Sequence, residues 1–122
     1  MIVGQTMLSV QRGTEHRAEA ALQILALRAH YTAGHLNHRI LRSFGMSPLA
    51  SALGDSERAS ALSDVHFILE SEWESLDAHD EFYSDEAVQA VYTTLQSILT
   101  SGPFEVLYDS VVEQPQHDNV AL

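Results

Sequence analysis

The stretch Val65–Tyr83, VHFILESEWESLDAHDEFY, constrains the fold more than any other part of this chain. Val65, Phe67 and Leu69 alternate with His66 and Glu70, the two-residue period of a strand with two distinct faces. The strand ends at Trp73, the only tryptophan. Glu74-Ser75 then turns the chain into a short helix from Leu76 to about Phe82. Ser84-Asp85-Glu86 caps a second, longer helix over 85–101. A strand that ends in a large aromatic, followed closely by a helix carrying His79 and Tyr83, is suited to line a pocket. The residues leave a second reading open, with Trp73 as a core aromatic and His79 on a solvated helix face, because apolar residues at structural periods are usually packing.

The rest of the chain supplies partners for that stretch. Residues 2–10, IVGQTMLSV, read as a first strand with Gln5 as its one long polar side chain. Gly13 turns, Thr14 stands as an N-cap, and Glu15 suits the positive end of the helix that follows. Ala18, Ala21, Leu22, Leu25 and Ala29 form one stripe, widened by Ile24, the spacing of an amphipathic helix laid on a sheet. Gly34 is placed to end that helix in a left-handed C-cap. His35–Phe44 is a second strand, with Leu36, His38 and Ile40 on one face and His35, Asn37, Arg39 and Leu41 on the other.

Gly45, Pro48 and Gly54 break the segment 45–64, which reads as an insertion. It covers a pocket mouth, pads a subunit contact or is disordered, and all three stay open. The last helix carries Val88, Val91, Leu95, Ile98 and Leu99 as its apolar stripe, with Tyr92 at the edge. Phe104, Val106 and Tyr108 alternate in a final strand opening at Gly102-Pro103. The domain is expected to span 1–113, with 114–122 a polar tail.

For 122 residues one domain is the natural count, and 45% hydrophobic residues argue for a globular chain. The absence of cysteine removes disulfides, thiolate catalysis and Cys-ligated zinc or iron–sulfur clusters. Seventeen acidic against six basic residues give a net charge of −11, which repels phosphate backbones and anionic lipid, so neither nucleic acid nor a membrane is an expected partner. No apolar run approaches the roughly 20 residues of a membrane span. Met1–Val10 lacks the basic start and long apolar centre of a signal peptide, and a cytoplasmic location is expected.

The seven histidines show no convincing ligand spacing. His35 and His38, an odd number of positions apart, point to opposite sides of a regular strand. His66 and Glu70 share a face but lie about 13 Å apart at strand rise. No metal site is expected.

β-α-β followed by β-α-β is the split ferredoxin-like pattern. The expected fold is α+β, a four-stranded antiparallel sheet with helices on one face. The opposite face, carrying Ile68, Ile40 or Val106, is too apolar for water. Pairing two such sheets into a dimeric α+β barrel covers it, so a homodimer is expected.

Glu72, Trp73, Ser75, Leu76 and His79, followed by the capped helix and the Gly102-Pro103 strand, resemble the antibiotic-biosynthesis monooxygenase (ABM) superfamily of dimeric α+β barrels. The likeness covers about 2–113 and is close over 65–110. Members that oxidise aromatic substrates use no cofactor, so the resemblance implies a monooxygenase that oxidises a quinol, anthrone or related polyphenol with O2. It implies a pocket between sheet and helices in which a substrate deprotonated by a general base passes an electron to O2. In that reading Trp73 forms the aromatic wall, His79 is the base, and Asn37, Tyr83 and Tyr92 bind substrate.

The chain departs from the polyketide oxygenases of the family at Leu69, where they carry Asn, and at His79, where they carry Tyr. It also has no basic residue in 85–101. Gln5 and Tyr83 stand where the haem-degrading branch needs Asn and His. The alternative function is a non-catalytic dimeric barrel that binds a small ligand or a partner protein. An isomerase or lyase acting on a small hydroxyketone would use the same residues. Which way His79 points separates an enzyme from a binding module, and a one-residue shift in a helix swings a side chain by about 100°.

Overall fold

The computed structural model describes residues 1–46 and 64–111, and within them the alternating segments are strands and the apolar stripes helices. In chain order these are β1 (Ile2–Gln11), α1 (Glu15–His30), β2 (His35–Arg42), β3 (Asp64–Trp73), α2 (Leu76–Ser84), α3 (Glu86–Leu95) and β4 (Leu99–Tyr108). The strands form one sheet in the order β2-β3-β1-β4, every pair antiparallel. This is the α+β, ferredoxin-like split βαβ arrangement. The expectations for the insertion and the tail fall on 47–63 and 112–122, outside the described residues. No helix among the described residues is long and apolar enough to cross a membrane.

Register decides which side chains meet. Thr6 pairs with Leu69, Leu8 with Phe67 and Val10 with Val65, so one face of β1 and β3 is a continuous apolar floor. Ala18, Ala21, Leu22, Leu25 and Ala29 of α1 lie on that floor, joined by Val88 and Leu95 of α3 and by Ile98. Each fully buried Leu or Phe there is worth about 1.5–3 kcal/mol. The small alanines allow α1 to sit close. Ile24 does not widen the stripe as its spacing suggests; it is 50% exposed, and Ala26 takes the buried place.

Three boundaries differ from expectation, each for a local reason. α1 ends at His30, and Gly34 instead turns the chain into β2 with φ +86°, where a Cβ would lie 2.5 Å from that of Ala78 on α2. The last helix is Glu86–Leu95 and not 85–101, because the Gln11 N–H bonds Ile98 O and draws the chain back into the sheet as β4. Its N-cap is Asp85, which accepts from the Ala87 N–H at 2.8 Å, whereas the Ser84 hydroxyl donates to Glu81 O inside α2.

The fourth difference is in β2, which ends at Arg42. His35 pairs with Trp73 and Asn37 with Glu72, so Leu36 is an extra residue in a bulge. The bulge cancels the odd spacing and brings the His35 and His38 rings to 5.2 Å on the helix side of the sheet. By the same register Ile40, opposite Leu69, packs on the core, and Leu41 takes its expected place on the open face. Met7, Ile68, Phe104, Val106 and Tyr108 share that open face. Phe104 is 61% exposed there.

Candidate active site

α2 is set where β3 ends. The Glu74 N–H donates to Gly34 O at 2.8 Å, and the Ser75 side chain caps the helix by accepting from the Ala78 N–H at 3.2 Å. That cap fixes the rotation of α2 and turns His79 and Phe82 inward. His79 is 6% exposed, with its ring centre 6.2 Å from that of Trp73 and 4.8 Å from that of Tyr83.

Each ring nitrogen of His79 meets a carboxylate. Nδ1 lies 2.8 Å from Asp80 Oδ1 and Nε2 lies 2.6 Å from Glu105 Oε1. Two ionised carboxylates are both satisfied only by a ring that donates from both nitrogens; with a single ring N–H, one carboxyl must supply the other proton. The Asp80 side chain is largely in solvent, whereas that of Glu105 is only 20% exposed, so the sheltered partner is Glu105. Charge-assisted bonds of this kind are the strong ones when water is kept away.

Glu105 sits on β4 opposite Thr6 of β1, on the helix side of the sheet. The Thr6 hydroxyl donates to Glu105 Oε2 at 3.4 Å. Beneath it is Gly4, where a Cβ would stand 2.7 Å from the same carboxylate oxygen. The glycine makes room for the carboxylate.

Thr6, Tyr83, Tyr92, Pro103 and Glu105 line a cavity of about 240 Å³ between β1, β4 and the α2–α3 pair. Small-molecule sites usually run to about 300–1,000 Å³, so this one is sized for a small ligand. The hydroxyls of Tyr83 and Thr6 are 3.2 Å apart, and the buried Tyr92 hydroxyl lies beside both without a hydrogen bond of good geometry among the described residues. Burial pushes both tyrosines above the ordinary phenol value; for Tyr83 the neighbouring Tyr92 and the Glu105 charge add to it. Both are neutral hydroxyls at physiological pH.

A larger hollow of about 420 Å³ lies between α1 and α3, lined by Ala20, Ala21, Ile24, Val91 and Ile98 among others. Its lining is nearly all apolar, with Arg17 its one ionisable side chain. The convergent polar groups are in the smaller cavity.

The expected site residues separate into three places. Tyr83 and Tyr92 line the cavity, and His79 lies behind it, bonded to Glu105. Trp73 is fully buried in the core, its Nε1 donating to Ser71 Oγ at 3.0 Å and its ring tilted at 40° to that of Phe82; the aromatic rings that line the cavity are those of Tyr83 and Tyr92. Asn37 pairs with Glu72 on the open face, so the sheet stands between it and the cavity. The bulge in β2 puts Asn37 on the face opposite the one its alternation with His35 predicts.

Glu105, Thr6 and Gly4 were not legible as site residues. One signal for Glu105 exists in the sequence. With Phe104, Val106 and Tyr108 on one face of a strand, the carboxylate between them falls on the other.

Among the described residues no three His, Asp or Glu side chains are grouped to hold a metal ion. His35 Nε2 and His38 Nδ1 are buried without hydrogen-bond partners among those residues.

Comparison with known proteins bears on the fold. A protein of Nitrosomonas europaea assigned to the antibiotic biosynthesis monooxygenases superposes with a TM-score of 0.68 at 12% identity, over 92% of this chain and 100% of its own. One of Deinococcus radiodurans with the same assignment gives 0.67 at 16% identity, over 95% and 98%. SnoaB, a cofactor-independent oxygenase of Streptomyces nogalater, gives 0.62 at 16% identity, over 94% and 98%. The chain has the ABM fold. No family model matches the sequence, and neither does any curated protein. At these identities the likeness is one of fold, and the side chains of the cavity are this chain's own.

Proposed function

We propose that this protein is a homodimeric member of the ABM superfamily that oxidises a small quinol, anthrone or related polyphenol with O2 and without a cofactor. What carries the reading is the burial of His79 against Glu105, a carboxylate that lines a cavity with two neutral phenols. A histidine on a solvated helix face would have no such partner.

The chemistry needs proton management, a dry space and O2. A substrate hydroxyl gives its proton to the His79–Glu105 pair as an electron leaves for O2. The radical pair joins through a C–O bond. The O–O bond then breaks as that carbon loses its hydrogen, and this hydrogen and the phenolic proton leave with the outer oxygen as water, giving the quinone. One oxygen atom of O2 stays in the product and the other departs as water, so O2 is the only oxidant required. The Tyr92 hydroxyl, in the cavity wall beside those of Tyr83 and Thr6, is placed to hold a substrate oxygen. Trp73 supports His79 from the core. SnoaB, similar in fold, is itself cofactor-independent, which favours the same economy here.

Dissolved O2 followed with purified protein and a panel of hydroquinones, anthrones and catechols tests the reading. Uptake above the autoxidation blank, reduced in His79→Ala and in Trp73→Phe, is expected. Flat traces from a well-folded protein across the panel would favour a non-catalytic ligand-binding barrel.

A further inference from the structure

Inside the cavity the group placed to meet a ligand hydroxyl is not the histidine. Both nitrogens of His79 are engaged, by Asp80 Oδ1 at 2.8 Å and by Glu105 Oε1 at 2.6 Å, and the ring is not part of the lining. Among the groups that are, the Thr6 and Tyr83 hydroxyls are paired at 3.2 Å, and Pro103 has no side-chain polar atom. The Tyr92 hydroxyl is a neutral phenol, able to donate or accept a hydrogen bond but not to take up a proton. Glu105 remains. Its Oε1 is held by His79, while Oε2 has, among the described residues, only the long 3.4 Å contact from Thr6 and retains accepting capacity.

We propose, resting on the oxygenase reading above, that Glu105 receives the phenolic hydroxyl of the substrate, accepting its hydrogen bond in the complex and its proton in the reaction. His79 is then a positioning residue, which holds the carboxylate over Gly4 and toward the cavity. The step balances. The substrate O–H bond breaks and its hydrogen passes as a proton to the Glu105 carboxylate. An electron passes to O2, which is reduced to superoxide, and the phenol is left as a phenoxyl radical. A free carboxylate is a weak base for a phenol, so the proton moves as the electron leaves and not before. That proton returns to the outer oxygen of the C–O–O adduct. The O–O bond then breaks as the attacked ring carbon loses its own hydrogen, and the two hydrogens leave with that oxygen as water.

The test is a 19F NMR titration of the full chain with 4-fluorophenol and with 4-fluoroanisole, its methyl ether, which has no hydroxyl hydrogen to offer. O2 uptake on hydroquinone is read beside it. Wild type should bind the phenol about tenfold more tightly than the ether, and Glu105→Leu should abolish that preference while still binding both rings. His79→Gln keeps a donor toward the carboxylate and should keep the preference; His79→Leu should lose most of it. In turnover, Glu105→Gln should lower kcat by about 100-fold or more with KM changed far less. A preference that persists in Glu105→Leu, or no binding of the phenol to wild type at millimolar concentration, overturns the proposal. O2 uptake that is present but insensitive to Glu105→Gln also overturns it and leaves the oxygenase reading standing. A preference that follows Glu105 with flat O2 traces supports the hydroxyl contact and overturns the oxygenase reading instead.

Discussion

Gly4 is where the smallest change probes the site. A methyl group at this position would stand 2.7 Å from Glu105 Oε2, the far end of a flexible side chain, and 3.5 Å from Leu107 Cδ2, an ordinary contact. The carboxylate therefore gives way before the backbone does. Gly4→Ala is expected to change stability by less than about 1 kcal/mol, the scale of a Gly-to-Ala change at a compatible position. It should still reduce turnover by about tenfold or more by turning Glu105 away from His79. Thermal unfolding beside O2 uptake checks both halves.

His35 gives a pH prediction. Burial lowers its pKa below the ordinary histidine value, and the neighbouring His38 and His30 lower it further. The unfolded chain thus binds the proton more readily than the folded one. This contribution to stability is complete above about pH 6.5 and is lost as pH falls through the folded value. The melting temperature should fall between pH 7 and 5, and His35→Gln should flatten that slope. A slope unchanged in the variant would assign the effect to other groups. Trp73→Ala, emptying a fully buried site, is expected to cost about 3–5 kcal/mol, so Trp73→Phe is the usable variant for activity.

The elements show why some of this was legible in the sequence and some was not. β3 and its turn into α2 were readable because alternation, the terminal Trp73 and the Ser75 cap agree locally. The direction of His79 was not readable. It depends on the rotation of a nine-residue helix, and that depends on a cap and on Gly34 packing against Ala78. β2 misled through its bulge, since one extra residue at Leu36 moves His35 to the face of His38. Glu105 was hidden for a different reason. Its importance arises from register with Thr6 and from a contact spanning 26 positions to His79, and neither is encoded in local spacing.

The cap itself is testable. Ser75→Ala removes the acceptor for the Ala78 N–H and should destabilise the protein by about 1 kcal/mol. Ser75→Asp, another good N-cap, should restore most of the loss. Equal melting temperatures in the serine and alanine forms would show that the cap does not hold α2.

At the scale of the whole molecule the open sheet face dominates. Phe104, Val106 and Tyr108 lie exposed beside Met7 and Ile68. Polar groups share that face: Gln5 Nε2 and Arg39 Nε donate to the two oxygens of Glu70, Ser9 is hydrogen-bonded to His66, and Asn37 pairs with Glu72 across β2 and β3. The exposed apolar side chains of β4 suit burial by a second copy of the sheet, and the Glu70 network and the Ser9–His66 pair carry their own partners into that burial. Val106→Glu is expected to convert a dimer to a monomer in sedimentation analysis. A dimer that persists in this variant would move the interface elsewhere.

The most direct measurement of the account is the rate of O2 consumption on hydroquinone by wild type and by His79→Ala, with no cofactor added. If the His79–Glu105 pair manages the substrate proton, wild type consumes O2 above the blank and the variant loses about 100-fold or more of that rate while remaining folded. A folded wild type that consumes no O2, or a variant within about twofold of wild type, would contradict it.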